Sequence, residues 1–424
     1  MLSAISKTYC SLAVLYRKYD RRIWYLFLAR VFSAMGFAIV IPFLSIYLYS
    51  ELGIPMKVVG TVFLLAAFSR AGMQLIGGEL SDRYGRRRVM LLAMGGRAVT
   101  FLLLSLLILY AQHLLFIVLA VMLSYGFGAM FMPSADAMIA ELVKDQDRIE
   151  AYGIQRIGLN AGWAIGPAIG GFLASLSYFW LFFLTSILFI FGFLITFFFI
   201  GESNKNRSRQ SAGTGLKGIL SIRNNHDFLI FAFFALLIFS IMTQIVSTLS
   251  VYVVSEVGLN KIHLGFLYTI NGLVIIFLQF PGISLIKRMK LTSALSIGAL
   301  FAGFGYSIVI FADGFWTIAI AIVILTFGEI FITPAGTTLT SNWAPLSERG
   351  RYMGVYGLFQ SFGRSFGPFY GGFLLDAFMH QLGLLWGAIS AIGLVSALGF
   401  FSLQWKIKPK INVAMVKTQT YSAG

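Results

Sequence analysis

The sequence predicts an all-α membrane protein with twelve transmembrane helices in two repeated six-helix bundles. Composition, the length of the apolar runs and an internal repeat support this prediction. Of the 424 residues, 58% are hydrophobic and only 11% are charged, and the mean hydropathy is +0.85. A soluble core cannot remove so much apolar surface from water, whereas the interior of a bilayer accepts it.

Twelve apolar runs lie between charged or turn-rich breaks, and each is close to the roughly 20 residues that cross a bilayer as a helix. These predicted spans 1 to 12 cover residues 23–49, 56–80, 88–110, 114–140, 150–176, 179–200, 228–255, 262–286, 292–312, 316–342, 350–377 and 382–405. The runs are too long and too continuous for the alternating ten-residue strands of a membrane barrel.

A glycine-proline pattern occurs twice, and each member of the second copy follows its counterpart by 201 positions. The first copy, in span 5, consists of Gly153, Gly162, Gly166, Pro167, Gly170 and Gly171. The second copy, in span 11, consists of Gly354, Gly363, Gly367, Pro368, Gly371 and Gly372. Pro133 and Pro334 keep the same separation. The chain is therefore predicted to contain two tandem copies of one half, an organisation typical of membrane transporters.

The repeat and one polar stretch define the expected domains. These are an N-terminal cytoplasmic segment at 1–21, a bundle at 22–200, a cytoplasmic linker at 201–225, a second bundle at 226–406 and a cytoplasmic tail at 407–424. The stretch 201–225 is polar and contains several glycines and serines, which is typical of a flexible linker.

The basic residues indicate the orientation. Most of them lie in the N-terminal segment, the loop after span 2, the linker and the tail, whereas the opposite loops keep only Lys57 and Lys261. Positive residues remain in the cytoplasm, so both termini are predicted to be cytoplasmic, in a plasma (inner) membrane. Topology and attraction to anionic lipid explain the net charge of +16, and no nucleic-acid partner is expected. We expect a monomer embedded in the lipid bilayer.

Other chemistry is limited by the sequence. The single cysteine excludes an internal disulfide and a cysteine metal site. No GxxxxGK[ST] nucleotide-binding motif is present. We therefore expect a non-enzymatic protein without cofactor or metal, whose transport of a small-molecule substrate uses a gradient.

Three motifs carry a family resemblance. The loop after span 2 reads Gly78-Glu79-Leu80-Ser81-Asp82-Arg83-Tyr84-Gly85-Arg86-Arg87, which resembles the signature of the major facilitator superfamily. The first glycine-proline copy resembles the antiporter motif of its twelve-span drug:proton antiporter group, and Gly36 with Pro42 resembles another motif of that group. The resemblance implies the major facilitator fold. Met122 stands where the group usually has an arginine in span 4.

The motif loop is predicted to be a gate formed by Asp82, Arg83, Gly85, Arg86 and Arg87. Gly85 permits a tight turn, and Asp82 can accept hydrogen bonds from Arg83, from Arg86 or from a helix N-terminus. An acid within a basic run favours a latch that holds an outward-open state. The alternative is that the arginines only fix the topology.

The glycines predict close helix contacts, since small residues allow backbones to approach in lipid. Gly153, Gly162, Gly166 and Gly170 are expected to lie near one helical face, and Pro167 is expected to bend span 5. The resemblance implies that span 2 meets span 11 and that span 5 meets span 8. The glycines are expected to pack helices and to let the halves rock; the alternative is packing alone.

Ionisable residues inside the spans are costly in lipid and are the strongest functional signal. Glu329 lies near the middle of span 10 and is predicted to bind and release the transported proton. Asp136, nearer the end of span 4, is the second proton-coupling candidate. The alternative for each is a permanent ion pair with an arginine.

Arginines outnumber these acids. Arg30, Arg70 and Arg364, together with Gln244, are the predicted substrate-binding residues, and Arg30 is a candidate partner of Asp136. Arg97 and Arg156 are expected to extend toward the head groups or to bond to carbonyls. The positive surplus favours an anionic or zwitterionic ligand.

Two functions therefore stay open. The first is proton-coupled efflux of amphipathic organic compounds by alternating access, as in a multidrug antiporter. The alternative is symport or uniport of an anionic metabolite or lipid-like molecule held by the arginines. A weaker third reading is a membrane receptor on a transporter scaffold.

Overall fold

A computed structural model describes residues 18–110, 113–144, 147–203, 222, 225–345 and 348–413. Most of the predicted N-terminal segment, most of the predicted linker and the end of the tail lie outside these residues. The described chain forms twelve long helices, α1 to α12, which correspond in order to predicted spans 1 to 12.

The helices have the following bounds. They are α1 at Arg21–Ile46, α2 at Met56–Tyr84, α3 at Arg86–Tyr110, α4 at Leu114–Leu142, α5 at Arg148–Leu176 and α6 at Tyr178–Phe199, then α7 in two parts at His226–Met242 and Thr248–Ser255, α8 at Lys261–Ile286, α9 at Leu291–Val309, α10 at Phe315–Trp343, α11 at Arg349–Phe378 and α12 at Leu382–Leu403. The all-α prediction is confirmed.

Eleven of these helices are long and apolar enough to cross a membrane within the described residues. The exception is α11, whose glycines, serines, tyrosines and arginines lower its apolar content. Its 30 residues correspond to about 45 Å of helix, which is sufficient for a bilayer core of about 30 Å.

The internal repeat is visible in the helix bounds. Helices α4 and α10 begin at Leu114 and Phe315 and end at Leu142 and Trp343, so both ends are separated by the 201 positions of the sequence repeat. Each has a proline at the equivalent place, Pro133 or Pro334. The two halves of the sequence therefore form equivalent local structure in this region.

Two helices depart from regular α-helical geometry. Helix α7 is broken by a 3-10 turn at Thr243–Val246, after which Ser247 leaves the helical region with φ −126° and ψ −89°. Helix α1 continues beyond Ile46 as a π-helical turn at Tyr47–Glu51. Interruptions of this kind free backbone groups for other contacts within a membrane protein.

The described chain separates into two compact units. One contains the described residues up to Leu44 and those from Leu65 to 203, and the other contains Ser45–Leu64 with the described residues from 222 onward. The end of α1 and the beginning of α2 thus group with the second half of the sequence, a division that differs from the predicted boundary.

Aromatic rings fill the interior of each unit. In the first, Phe101 on α3 stacks on Phe189 of α6 with ring centroids 5.4 Å apart. In the second, Tyr306 on α9 stacks on Trp386 of α12 at 5.8 Å, and both rings are fully buried. Such pairs stabilise the bundles beyond the burial of their area, by about 0.5–1.5 kcal/mol each.

Candidate functional site

The glycines of α5 lie directly against the backbone of α1. A Cβ atom at Gly162 would stand 2.7 Å from Met35 N, and one at Gly170 would stand 2.5 Å from Ile39 O. Both separations are shorter than any side chain tolerates, so only glycine permits this helix spacing. The predicted glycine face of α5 therefore packs against α1, which is predicted span 1.

The second copy repeats this contact between α11 and α7. A Cβ atom would stand 2.3 Å from Leu236 O at Gly363, 2.3 Å from Ser240 O at Gly367 and 2.1 Å from Gln244 Oε1 at Gly371. Leu236 and Ser240 follow Met35 and Ile39 by 201 positions. The repeat thus includes the partner helices as well as the glycines.

Not every member of the pattern packs in this way. Gly153 and Gly354 are exposed, and a Cβ atom at either would meet nothing within 4 Å. Gly372 instead faces the beginning of α2, where its Cβ atom would stand 2.3 Å from Met56 O. Helix α2 also has Gly60 against the carbonyl of Pro368 on α11, so the predicted contact between spans 2 and 11 is present.

Glu329 lies at the middle of α10 and is half-buried. Asn271 of α8 donates from Nδ2 to Thr326 Oγ1 at 2.7 Å, and its side chain also reaches the Glu329 carboxylate. Arg364 of α11 is the cation that interacts with that carboxylate. Glu329 therefore shares its surroundings with one amide and one guanidinium. Sequence reasoning missed Asn271, although an amide within an apolar span was the available signal.

Asp136 is paired with an arginine. The guanidinium of Arg30 on α1 forms an ion pair with the Asp136 carboxylate on α4, as the sequence suggested. Arg30 is buried, whereas 48% of the Asp136 side chain is exposed. Removing Asp136 would leave the buried Arg30 charge uncompensated, which is costly. The pair joins one predicted substrate-binding residue to one predicted proton-coupling residue.

The other predicted ligand residues have different surroundings. Arg70 on α2 is exposed and forms no ion pair within the described part of the chain. Arg364 is exposed as well, and its guanidinium lies over the ring of Phe239 at 4.8 Å. Gln244 is fully buried in the turn of α7, where Nε2 donates to Gly367 O at 2.7 Å. The described contacts of Gln244 join α7 to α11.

Arg97 is a correction to the sequence analysis. Its side chain is buried inside the first unit and bonds to no carbonyl in the described structure. It is 4% exposed, with its guanidinium 4.1 Å from the ring centroid of Phe189 and Nη1 3.3 Å from Ser33 Oγ. The aromatic faces of the surrounding helices stabilise the cation in place of solvent.

The motif loop turns at Gly85, whose φ of +104° lies in the left-handed region that favours glycine. The carboxylate of Glu202, which follows α6, accepts hydrogen bonds from the backbone N–H groups of Arg86 at 3.0 Å and Arg87 at 3.2 Å. A Cβ atom at Gly85 would stand 2.3 Å from Glu202 Oε2. Gly85 therefore provides both the turn and the space for a carboxylate at the N-terminus of α3.

An ion-pair network surrounds this turn. Arg86 pairs with Asp82 and places Nε 3.0 Å from Glu141 Oε1 on α4. Arg83 is exposed. Asp82 was predicted to accept hydrogen bonds from Arg83, from Arg86 or from a helix N-terminus, and in the structure it pairs with Arg86. Glu141 and Glu202 were missed, because neither residue lies near the motif in sequence. All of these contacts lie within the first unit.

A second acidic contact lies in the other unit. Asp376 near the end of α11 accepts hydrogen bonds from the backbone N–H groups of Met56 and Lys57, both at 2.8 Å. These are the first N–H groups of α2, where a carboxylate is favourable. Nearby, Lys261 Nζ lies 2.8 Å from Glu51 Oε1. Sequence reasoning missed Asp376, which stands alone among apolar residues at the end of a predicted span.

Comparisons with known proteins identify the family. The sequence model of the Major Facilitator Superfamily matches residues 26–311 and 245–413. The chain belongs to the major facilitator superfamily and is a multi-pass membrane transporter, not an enzyme.

Two curated relatives share about a quarter of the sequence. The multidrug resistance protein MdtH of Aeromonas hydrophila subsp. hydrophila is 25% identical over 383 residues, which cover 88% of this chain and 93% of MdtH. A Na(+), Li(+), K(+)/H(+) antiporter of Planococcus maritimus is 24% identical over 366 residues, which cover 80% of this chain and 85% of the antiporter.

Solved structures confirm the fold. The crystal structure of the nucleoside transporter NupG superposes with a TM-score of 0.75 at 13% identity, covering 92% of this chain and all of that chain. At this level of identity the likeness extends to the fold alone. The predicted major facilitator fold is therefore confirmed.

Proposed function

We propose that this transporter exports amphipathic organic compounds in exchange for protons, by alternating access, with both termini in the cytoplasm. The observation that supports this most strongly is Glu329, an ionisable group at the middle of a membrane-spanning helix with Asn271 and Arg364 beside it. A carboxyl at such a depth is costly, and it marks an ion or proton pathway more often than a structural contact.

The relatives support the same class of function. Among them are a multidrug resistance protein and a cation/proton antiporter, each matched over most of its length. The glycine-proline pattern in α5, which resembles an antiporter motif, points in the same direction. None of these features identifies the substrate, so amphipathic compounds are proposed as a class.

In the proposed cycle, Glu329 alternates between an ionised and a protonated state. When ionised, it attracts Arg364, and when protonated, it loses that attraction. A cationic substrate competes with the proton for the ionised carboxylate, which couples the two in opposite directions. Binding one ligand at the expense of the other is the energetic requirement for exchange.

Two sets of contacts are the proposed gates. One is the motif loop with Asp82, Arg86 and Glu141 in the first unit, and the other is Asp376 at the start of α2 in the second unit. Carboxylates carry the contacts in both sets. We propose that these contacts form and break alternately as the transporter changes state.

The alternative function is transport of an organic anion. Arg70 supports it, since this embedded cation has no ion pair within the described chain. A planar guanidinium binds carboxylate and phosphate groups through two parallel hydrogen bonds. In this scheme protonation of Glu329 removes a negative charge that repels the anion, so proton and anion travel together.

Proteoliposome flux distinguishes the two schemes. We expect the purified protein to accumulate ethidium, a cationic dye, in the lumen of the proteoliposomes when the lumen is acidic, and not to transport carboxyfluorescein, an organic anion. Arg70→Ala and Arg364→Ala should then retain dye transport, because removing a cation from the pathway does not disfavour a cationic ligand. Initial rates with and without the pH gradient are the measurement.

Arg156→Ala is the matched control, because Arg156 is an exposed arginine of α5 that carries no proposed role. The opposite outcome is that the unaltered protein and the control accumulate the anion, with that accumulation lost in Arg70→Ala and Arg364→Ala. This result would contradict the export proposal and favour transport of an organic anion.

A further inference from the structure

A cleft of about 360 Å³ lies at one end of the first unit. Its size is within the range of roughly 300–1,000 Å³ found for small-molecule sites. The first turn of α3, the last turn of α6 and the residues that follow α6 form its walls. Because α3 begins and α6 ends there, the cleft lies at the level where spanning helices meet the lipid head groups.

Two arginines give the cleft its positive charge. Arg87 donates from Nη2 to Phe197 O at 2.6 Å, while its buried Nε has no hydrogen-bond partner in the described structure. Arg88 is exposed and forms no ion pair with any described residue. The acid in the cleft, Glu202, is bound to the backbone N–H groups at the start of α3. Among the described residues, no carboxylate therefore accepts hydrogen bonds from these guanidinium groups.

The wall opposite the arginines is apolar. Phe197, Phe198 and Phe199 are three consecutive phenylalanines with exposed fractions of 46%, 68% and 53%. They stand at the end of a spanning helix, where aromatic residues border acyl chains and head groups. A soluble phosphate would gain nothing from this wall, whereas a lipid would place its chains against it.

We propose that this cleft binds the phosphodiester head group of an anionic phospholipid, with Arg87 and Arg88 on the phosphate and the acyl chains against Phe198 and Phe199. Basic pockets at the ends of transmembrane helices recognise anionic head groups through the same combination of charge and apolar surface. The bound lipid would bridge α3 and α6, next to the turn at Gly85.

Native mass spectrometry of the full-length protein in detergent tests the proposal. Dioleoylphosphatidylglycerol is titrated against dioleoylphosphatidylcholine, which has equal chains and a zwitterionic head group. We expect tighter binding of phosphatidylglycerol, and a loss of about fivefold in its affinity in Arg88→Gln, the contribution of one basic residue at a membrane surface. Phe198→Ala, which leaves every charge in place, should also weaken phosphatidylglycerol binding.

Arg288→Gln is the matched control. Arg288 is an exposed arginine just after the end of α8 in the other unit, so this substitution removes the same charge at a different place. Equal losses in Arg88→Gln and Arg288→Gln would overturn the site, as would equal binding of the two lipids. Glycerol 3-phosphate, which lacks acyl chains, should not compete; competition as strong as that of the lipid would mean a site for free phosphate and overturn the lipid assignment.

Discussion

Glu329→Gln is expected to abolish proton-driven transport while leaving the folded protein intact. Glutamine keeps the shape of glutamate, but it cannot take up or release a proton. In one-to-one exchange, a gradient of one pH unit drives about a tenfold ratio of substrate concentration across the membrane. The unaltered protein should approach this ratio in proteoliposomes, whereas the variant should reach a ratio of about 1, set by leak and exchange.

The variant should still carry substrate down its own concentration gradient, because the conformational steps do not need the charge, but it should bind a cationic substrate more weakly, because the ionised carboxylate is gone. Glu348→Gln is the matched control, since Glu348 lies at the start of α11 and pairs with Arg351 at 3.1 Å outside the membrane interior. Gradient-driven accumulation that persists in Glu329→Gln at the level of the control would remove Glu329 from the coupling mechanism.

Gly363→Ala is expected to destabilise the second unit, whereas Gly354→Ala in the same helix is not. A Cβ atom at Gly363 would stand 2.3 Å from Leu236 O, a backbone atom that cannot rotate away. Overpacking of this kind costs about 1–3 kcal/mol. At Gly354 a Cβ atom meets nothing within 4 Å, and alanine should stabilise the helix there by about 0.5–1 kcal/mol.

Thermal unfolding of the purified variants in detergent measures both effects. The first copy offers an independent pair, because Gly162 lies against the backbone of α1 and Gly153 is exposed. Equal unfolding midpoints for Gly363→Ala and Gly354→Ala would mean that the close approach of α7 and α11 does not contribute to stability.

The local features of the fold follow from the sequence. Apolar runs predict the helices, since a spanning segment must satisfy its backbone hydrogen bonds internally. The 201-residue offset predicts equivalent helices, and the bounds of α4 and α10 keep that offset at both ends. The glycine faces were predictable as contact surfaces, but their partners α1 and α7 were not, because periodicity gives a face and not the helix that meets it.

The partners of charged groups were mostly not predictable. Glu202 and Asp376 each bind the first N–H groups of a helix far away in sequence. Such pairs depend on tertiary packing, and the sequence carries no local signal for them. Arg97 illustrates the same limit, because its burial against Phe189 depends on how α3 meets α6. The pairing of Arg30 with Asp136 was accessible, since both are rare embedded charges of opposite sign.

Substrate-driven proton movement tests the central claim of proton-coupled export most directly. Proteoliposomes containing the protein and a trapped pH-sensitive dye are prepared with equal pH on both sides, and ethidium is then added outside. Antiport predicts that entry of the dye drives protons out, so the interior becomes alkaline, and that Glu329→Gln shows no change. An interior that becomes acidic, or an equal response in Glu329→Gln, would contradict the mechanism proposed for this transporter.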